Sequence, residues 1–304
     1  MSFMDDLKYL KISLKCIQAA TNNFGDKPIG SGGFGDVYKG ELILQKGARM
    51  VAFKRLNRKF GQGDVEFWKE IILLSELKHK NLATLLHFCN EDKEILVYMY
   101  ASRGSLDKYL GDTSLTWTQH LDISNRCLNR DHKERPHMVE VVKELEAAIH
   151  QQQDASVLQS HGRVSTPQNS FGRYNIGHSQ LFSQLSNRMG RQKGVIHRNI
   201  TSANILLDEN WSAKITDFGM SKVVSSDEPQ TDHIDNIVGT IGYCDLSYME
   251  TGIFSKKSDV YSFGVVLFEV MCGRLRCDFD DGQLNLLVHK WMKAYDQKRL
   301  SEIL

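Results

Sequence analysis

The stretch Val195-Ile196-His197-Arg198-Asn199-Ile200-Thr201-Ser202-Ala203-Asn204 decides how the rest of this 304-residue chain is interpreted. Asp217-Phe218-Gly219 follows thirteen residues after Asn204. Asn204 and Asp217 carry the kind of oxygen that Mg²⁺ binds, although each residue taken singly is better explained by an Asx turn. Asn199 lies in the same stretch, and its neutral amide cannot accept a proton from a hydroxyl group as a carboxylate does.

A glycine-rich turn lies near the amino terminus, in the sequence Gly30-Ser31-Gly32-Gly33-Phe34-Gly35-Asp36-Val37. Glycine lets a backbone approach phosphate oxygens closely and tolerates positive φ. A dinucleotide-binding loop would continue into a helix, whereas strand character follows these glycines. The pattern therefore favours a phosphate-binding hairpin, and a plain flexible hairpin is the alternative.

Lys54 and Glu70 follow the glycine-rich turn at a spacing that suits a nucleotide site. Lys54 ends the predicted strand Val51-Ala52-Phe53-Lys54, and Glu70 lies on an amphipathic helix predicted over 65–77. An ammonium fixed there can hold the α- and β-phosphates of ATP while the glutamate orients it. The alternative is a solvent-exposed ion pair, worth roughly 0–1 kcal/mol. The order of glycine turn, lysine and glutamate favours the nucleotide site.

Composition indicates a globular chain without a nucleic-acid or membrane footprint. Apolar residues make up 41% of the sequence and the net charge is +1, so no basic surface predicts a nucleic-acid partner. The six cysteines show no CxxC spacing and are expected to be reduced, as in a cytosolic protein. No secretory signal, myristoylation glycine or membrane-spanning apolar run is predicted.

Together these motifs resemble the protein kinases of the plant receptor-like group, and most closely the malectin-type receptor kinases and related cytoplasmic forms. The resemblance covers about 17–117 and 195–300. It rests on the segments 17–24, His197-Arg198, 202–208, 239–243 and 257–265. It implies an α+β, two-lobed fold with a β-rich N-lobe and a mostly helical C-lobe. It also implies ATP and Mg²⁺ as cofactors and the phosphorylation of Ser/Thr hydroxyls.

The resemblance assigns roles to individual residues. Tyr98 matches the gatekeeper position, Asn204 and Asp217 match the magnesium ligands, and Asp259 matches a residue that braces the backbone of the catalytic loop. The implied ATP-binding residues are Gly30, Ser31, Gly32, Gly33, Phe34, Gly35, Val37, Ala52, Lys54, Glu70, Tyr98, Met99 and Ala101. His197 is expected to have a structural role.

The catalytic loop departs from the family pattern at two positions. Asn199 stands where the family has its catalytic aspartate, and Thr201 stands where a lysine faces the transferring phosphate. Loss of a general base typically lowers the rate by about 10²–10⁴. Loss of one preorganised charge donor lowers it by roughly 10²–10³, although the two effects need not add. Efficient phosphoryl transfer is therefore not expected.

The end of the activation segment also departs from the pattern. Asp245-Leu246-Ser247-Tyr248 stands where the family has a Pro-Glu pair, whose glutamate forms an ion pair with an arginine late in the domain. Ser247 cannot form that pair, so the segment is expected to dock poorly. Hydroxyl groups in this segment that a partner kinase can modify are those of Ser225, Ser226, Thr231 and Thr240.

The order of the motifs is broken between the two matching regions. Segments within 124–149 resemble the last helices of a kinase domain, which belong after residue 304. One interpretation is a rearrangement or faulty gene assembly whose C-lobe cannot form. The other is a permutation-like fold in which 124–149 docks at its usual site and a flexible linker over 150–180, with a reach of roughly 30 Å, returns the chain. The candidate replacement for the missing central helix is 178–189, which carries Leu181, Phe182, Leu185 and Met189.

Residues 29–54 alternate in the manner of strands around the glycine-rich turn, and residues 258–271 are apolar nearly all round, as in a buried core helix. These observations predict six regions. They are a lead over 1–23, an N-lobe over 24–100, a helix after the hinge over 101–118, displaced kinase helices over 119–150, a linker over 151–194 and a C-lobe over 195–304.

Three functions stay open at this point. The first is an ATP-binding Ser/Thr kinase-family signalling protein with impaired catalysis, acting on a protein substrate or with a partner kinase. The second is a non-catalytic pseudokinase that partners an active receptor kinase, and the third is a non-functional rearranged fragment. A cytoplasmic location is expected, with the inner face of the plasma membrane and its receptor complexes as the second candidate.

Overall fold

A computed structural model describes residues 7–44, 47–57, 64–110, 126–145, 147, 193–225, 232–280 and 283–297. The chain divides into two compact units. The first comprises Met1–Gly104 and Ile205–Ser221, and the second comprises Ser105–Asn204 and Lys222–Leu304. The β-rich first unit and the mainly helical second unit confirm the predicted α+β, two-lobed fold class. The first unit contains residues 205–221, which the sequence had grouped with 195–304.

An antiparallel five-stranded sheet forms the body of the first unit. Its order is β1-β2-β3-β5-β4, with β1 at Gly30–Gly32, β2 at Gly35–Leu44, β3 at Gly47–Leu56, β4 at Leu85–Asn90 and β5 at Glu94–Met99. Val51 and Phe53 alternate with more exposed residues along β3, whereas β5 is buried from Glu94 to Tyr98. The period-two alternation predicted over 29–54 is therefore confirmed, and it places one face of β3 in the core.

A short amino-terminal helix covers one side of this sheet. Helix α1 (Leu14–Ala20) begins at Ser13, whose side chain accepts a hydrogen bond from the backbone of Cys16. Leu14 and Ile17 pack with sheet residues that include Tyr38, Leu42, Val51 and Phe53. The predicted lead over 1–23 thus supplies part of the core of the first unit.

The remaining elements of the first unit bring the Asp217 segment against helix α2 (Asp64–Glu76). Strands β8 (Ile205–Leu207) and β9 (Ala213–Ile215) form a hairpin, and a 3₁₀ turn spans Phe218–Met220. Backbone hydrogen bonds join Ile215 to Asn81 and to Ala83. The Cβ of Glu66 on α2 lies only 3.3 Å from the position that a Cβ on Gly219 would take, so the glycine permits this close approach. Strand β6 (Gly104–Ser105) lies at the division between the units.

A buried helix organises the second unit. Helix α4 (Lys256–Cys272) begins with a capping box between Ser255 and Ser258 and ends at Gly273, which has φ +62°. Ten of its residues are buried, as predicted for 258–271. Around it lie α3 (Leu246–Thr251), α5 (Leu287–Asp296) and three antiparallel strand pairs. These pairs are β7 (Lys193–Ile196) with β10 (Lys222–Ser225), β11 (His233–Ile234) with β12 (Ile253–Phe254), and β13 (Cys277–Asp280) with β14 (Gln283–Leu286).

The segment 126–145 packs on helix α4 although it precedes the catalytic loop in the chain. Cys127, Val141 and Val260 form a buried cluster, and Phe263 and Leu267 pack against it. A Cβ on Gly264 would lie 2.7 Å from the Cβ of Cys127, so this contact needs glycine on the helix. The structure therefore agrees with one part of the permutation-like interpretation, the docking of this segment on the core helix. The predicted linker over 150–180 and the candidate helix 178–189 lie outside the described residues.

Candidate functional site

The glycine-rich turn forms the hairpin that the sequence predicted. Strands β1 and β2 pair with Gly30 opposite Val37 and Gly32 opposite Gly35. Gly35 has φ +124°, and a Cβ there would lie 2.0 Å from the carbonyl oxygen of Arg55. A Cβ at Gly32 or at Gly33 would meet nothing within 4 Å, so the tip of the hairpin is open. A turn with an open, glycine-lined tip fits the approach of a phosphate group.

Lys54 joins the two acidic residues that the sequence singled out in the first unit. Its Nζ forms an ion pair with Asp217 and lies 3.5 Å from Oε2 of Glu70. Burial by itself lowers the pKa of Lys54, but the carboxylates of Asp217 and Glu70 outweigh burial and raise that pKa. The lysine is therefore held as a cation, which is the state that binds phosphate.

The carboxylate of Glu70 is held by more than the lysine. The hydroxyl of Tyr98 donates to Oε1 of Glu70 at 2.6 Å, and the backbone N–H of Phe218 donates to the same oxygen at 3.2 Å. Burial and the neighbouring Glu70 raise the pKa of Tyr98, so its hydroxyl stays protonated and donates. The sequence assigned Tyr98 to the gatekeeper position, and it gave no sign of this hydrogen bond between strand β5 and helix α2.

Two of the implied ATP-binding residues, Met99 and Ala101, lie at the end of strand β5 and just beyond it. Met99 pairs with Val51 of β3, and its backbone N–H donates to the carbonyl of Thr84. Ala52 on β3 lies opposite Tyr98, and Ala101 is buried just beyond the strand.

The two predicted magnesium ligands lie in different units, Asp217 in the first and Asn204 in the second. Asp217 is buried and has φ +71°, at the start of the 3₁₀ turn. Within the described ranges, no group of three or more His, Cys, Asp or Glu side chains could hold a metal ion. Mg²⁺ in nucleotide sites commonly takes only one or two protein ligands along with phosphate oxygens and waters, so the predicted pair is compatible with its chemistry.

The backbone of the catalytic loop is held by Asp259 of helix α4. Its carboxylate accepts hydrogen bonds from the backbone N–H of His197 at 2.6 Å and of Arg198 at 2.8 Å. Burial raises the pKa of Asp259 although these hydrogen bonds and the nearby cations oppose it. This geometry agrees with the bracing role that the resemblance implied.

The side chains of Asn199 and Thr201 both accept hydrogen bonds. The hydroxyl of Thr240 donates to Oδ1 of Asn199 at 2.8 Å, and Nδ2 of Asn204 donates to the backbone carbonyl of Asn199 at 2.9 Å. Oγ1 of Thr201 accepts from the backbone N–H of Asn204 at 3.1 Å. Asn199 is therefore a neutral amide whose oxygen accepts a hydrogen bond, and Thr201 is a buried hydroxyl that closes a turn.

The expectation that the end of the activation segment lacks its ion pair is wrong. Arg135, fully buried, places Nη1 2.6 Å from Oδ2 of Asp245 and lies over the ring of Tyr261. Asp245 also caps helix α3 by accepting from the backbone N–H of Ser247. The carboxylate that forms the ion pair is therefore at position 245. The sequence had led us to expect it two residues later, at the position of Ser247. Sequence reasoning did not predict that Asp245, a buried carboxylate at the start of helix α3, pairs with Arg135 of the displaced segment.

Comparison with known proteins identifies the family of this chain. The family model described as protein tyrosine and serine/threonine kinase matches residues 25–125 and 179–296, on either side of the displaced segment. The fold and site thus define a protein kinase domain, and the chain belongs to the protein tyrosine and serine/threonine kinase family. Within that family its relatives are plant receptor-like kinases, which confirms the predicted class.

Three relatives from Arabidopsis thaliana illustrate the similarity. A G-type lectin S-receptor-like serine/threonine-protein kinase is 33% identical over 96% of this chain and 30% of its own length. Cysteine-rich receptor-like protein kinase 34 is 35% identical over 93% of this chain and 35% of its own length. Receptor-like protein kinase HERK 1 is 38% identical over 87% of this chain and 26% of its own length. This chain therefore spans between 26% and 35% of the length of these three relatives. A search of the described helices for a membrane span found none of sufficient length and apolarity.

Proposed function

We propose that this chain is an ATP-binding signalling protein of the receptor-like kinase family in which phosphoryl transfer to Ser/Thr hydroxyls is weak or absent. The observation that carries the proposal is the contrast between two sets of residues. The Lys54, Glu70 and Asp217 cluster is intact, whereas Asn199 and Thr201 have neither the carboxylate nor the ammonium that transfer needs.

The first unit would contribute most of the nucleotide site. The hairpin over 30–37 would face the phosphates, Lys54 would pair with them, and Tyr98, Met99 and Ala101 would border the base. Asp217 and Asn204 would hold Mg²⁺. When bound, Mg²⁺-ATP supplies an activated phosphoryl group. Transfer then needs a group that takes the proton of the attacking hydroxyl, and the amide of Asn199 cannot take it.

A non-catalytic pseudokinase that partners an active receptor kinase is the second candidate. It is favoured by the simultaneous change at Asn199 and Thr201, since each change alone impairs transfer. Because the relatives are named receptor-like kinases, we infer that such a partner is a receptor kinase and that the chain acts at the inner face of the plasma membrane or in the cytoplasm. The third candidate, a non-functional rearranged fragment whose C-lobe cannot form, is opposed by the buried packing of 126–145 on helix α4.

Thermal unfolding with and without Mg²⁺-ATP tests nucleotide binding. A ligand at a hundred times its Kd adds about 2.7 kcal/mol, which shifts the midpoint of a domain of this size by a few degrees. The control is Lys54→Met, which removes the ammonium and should abolish the shift. A cooperative transition that ATP leaves unmoved would contradict ATP binding and favour a scaffold. The absence of any cooperative transition would support the fragment.

A further inference from the structure

A carboxylate of the activation segment bridges two cations in the second unit. Oδ2 of Asp235 lies 3.2 Å from Nζ of Lys222 on strand β10 and 3.4 Å from Nη1 of Arg198 in the catalytic loop. Oδ1 of the same residue accepts from the backbone N–H of Asn236 at 2.8 Å. Both carboxylate oxygens are thus used, and three separate parts of the unit meet at one side chain.

The arginine in this cluster is buried, and its other contacts are with the same segment, helix α3 and strand β12. Nη2 of Arg198 donates to the carbonyl of Asn236 at 2.5 Å and to the hydroxyl of Tyr248 at 2.8 Å. The guanidinium also lies 4.1 Å from the ring centroid of Phe254. The side chain of Arg198 is only 3% exposed, and a buried cation without an anion is strongly unfavourable. Asp235 is the acidic side chain that the structure places on it.

The carboxylate is ionised under ordinary conditions. The hydrogen bond from the Asn236 backbone and the Lys222 and Arg198 cations together hold the pKa of Asp235 below its usual value of 3.8, although burial opposes them. The partners of the carboxylate are a guanidinium, an ammonium and a backbone N–H. This is the set of donors that binds carboxylate and phosphate groups alike.

We propose that Arg198 and Lys222 form an anion pocket that Asp235 fills from within the chain, so that residues 232–238 stay fixed to the catalytic loop without a phosphoryl group. The segment is then held permanently, and phosphorylation of Ser226 or Thr231 is not needed to order it. The proposal does not depend on ATP binding or on phosphoryl transfer. It concerns only how one segment of the second unit is held.

The test is hydrogen–deuterium exchange of the full chain, read on peptides that cover 232–242. Asp235→Ala should accelerate exchange there by about tenfold, which corresponds to about 1.4 kcal/mol of local opening. Asp235→Glu keeps a carboxylate and should remain within about threefold of the natural chain. The matched control is Asp232→Ala, which removes the same charge from a half-exposed neighbour 3.7 Å from His132 and should change little.

Inorganic phosphate then distinguishes an anion pocket from simple packing. At 20 mM, compared with chloride at equal ionic strength, phosphate should slow exchange in Asp235→Ala and leave the natural chain unchanged. The proposal is overturned if Asp235→Ala exchanges like Asp232→Ala, or if phosphate restores nothing. If Asp235→Ala unfolds, Lys222→Met replaces it, because that lysine is 42% exposed and its loss removes only one of the two cations. Unchanged exchange in Lys222→Met would then also overturn the proposal.

Discussion

Asn199 preserves the backbone conformation of the catalytic loop but not the negative charge that the family has at this position. The amide is close in size to a carboxylate, and it keeps a hydrogen bond from Thr240, while Asp259 accepts hydrogen bonds from the backbone N–H groups of His197 and Arg198. The loop therefore keeps its path. What the substitution removes is the negative charge that takes up a proton, and Thr201 removes a positive charge two residues further on. The same residues thus account for the family-like backbone of the loop and for the impaired transfer that we propose.

Restoring both residues should restore phosphoryl transfer. We expect the double variant Asn199→Asp, Thr201→Lys to phosphorylate itself or a generic protein substrate at least about 10²-fold faster than the natural chain, because a general base alone contributes about 10²–10⁴. The measurement is incorporation of labelled phosphate from Mg²⁺-ATP. The same pair of changes on a Lys54→Met background is the control and should stay inactive. A natural chain that already matches the double variant would show that Asn199 does not limit the reaction.

At the scale of secondary-structure elements, close backbone contacts determine which helix packs on which strand. Helix α1 reaches the sheet because Gly40 on strand β2 has no side chain. A Cβ there would lie 2.3 Å from the carbonyl oxygen of Ala20 and 2.8 Å from the ring of Phe53. The helix and the strand are therefore packed backbone to backbone, and Leu14 and Ile17 are buried as a result.

Adding a methyl group at Gly40 should loosen this contact. We expect Gly40→Ala to lower the free energy of unfolding by about 1–3 kcal/mol, the usual penalty for overpacking, and to lower the midpoint by a few degrees. Gly32→Ala is the control, since a Cβ at Gly32 meets nothing within 4 Å. Thermal unfolding followed by circular dichroism makes the comparison. Equal midpoints for the two variants would mean that α1 does not rest on β2.

The turn between strands β8 and β9 depends on one carboxylate. Oδ1 of Asp208 accepts from the backbone N–H groups of Asn210 and Ser212, each at 2.9 Å, and Oδ2 lies 3.3 Å from Nζ of Lys214. Burial alone raises the pKa of Asp208, but the two backbone hydrogen bonds and the lysine outweigh it and lower the pKa below 3.8. The ionised side chain therefore stabilises the folded turn.

The sign of this shift gives a pH dependence. A carboxyl group with a lowered pKa contributes stability that is fully present above its unfolded pKa and is lost as the pH falls through its folded pKa. We expect Asp208→Asn to lower the free energy of unfolding by about 1–2 kcal/mol at neutral pH. The difference from the natural chain should shrink as the pH falls below about 4, the usual pKa of an aspartate in an unfolded chain, and through the lower pKa of Asp208 in the folded chain. Urea unfolding at a series of pH values measures it, and a difference that grows on acidification would contradict the assignment.

At the scale of the whole chain, segments that lie far apart in sequence pack against each other in the second unit. Segment 126–145 precedes the catalytic loop, yet it packs on helix α4 and supplies Arg135 to Asp245 at the end of the activation segment. Nζ of Lys257 donates to the carbonyl of Arg135 from the start of α4. Folding of this unit therefore requires a contact between segments that are distant in the chain.

Breaking the buried ion pair should be far more damaging than breaking an exposed one. We expect Arg135→Ala to lower the free energy of unfolding by about 3–5 kcal/mol, because it leaves Asp245 buried without its cation. Arg126→Ala is the matched control in the same segment. Its ion pair with Glu144 is about 40% exposed on both sides and should contribute at most about 1 kcal/mol.

A double-mutant cycle completes this comparison. Asp245→Ala together with Arg135→Ala should cost less than the sum of the two single changes, since removing both partners leaves no isolated charge. Denaturant unfolding gives all four values. Strict additivity, or an Arg135→Ala variant as stable as Arg126→Ala, would show that Arg135 does not form the buried ion pair with Asp245.

Local patterns in the sequence were enough to predict several elements. Alternation over 29–54 predicted strands β1 to β3, the glycines around Gly35 predicted the hairpin, and the apolar run over 258–271 predicted helix α4. These features depend on neighbouring residues, since side-chain periodicity and glycine conformations are set within a few positions. The motif residues Lys54, Glu70 and Asp217 could also be predicted from the sequence, because each lies within a recognisable sequence motif.

The sequence by itself determined the family, the elements of the sheet and the proposal that Asn199 stands in place of a catalytic carboxylate. Only the tertiary structure decided that α1 belongs to the core, that Tyr98 holds Glu70, and that Asp245 in place of Ser247 pairs with Arg135. The physical reason is that a buried charge or hydroxyl takes whichever partner the packed chain brings within hydrogen-bonding distance. That partner can be far away in sequence, and no local pattern records it.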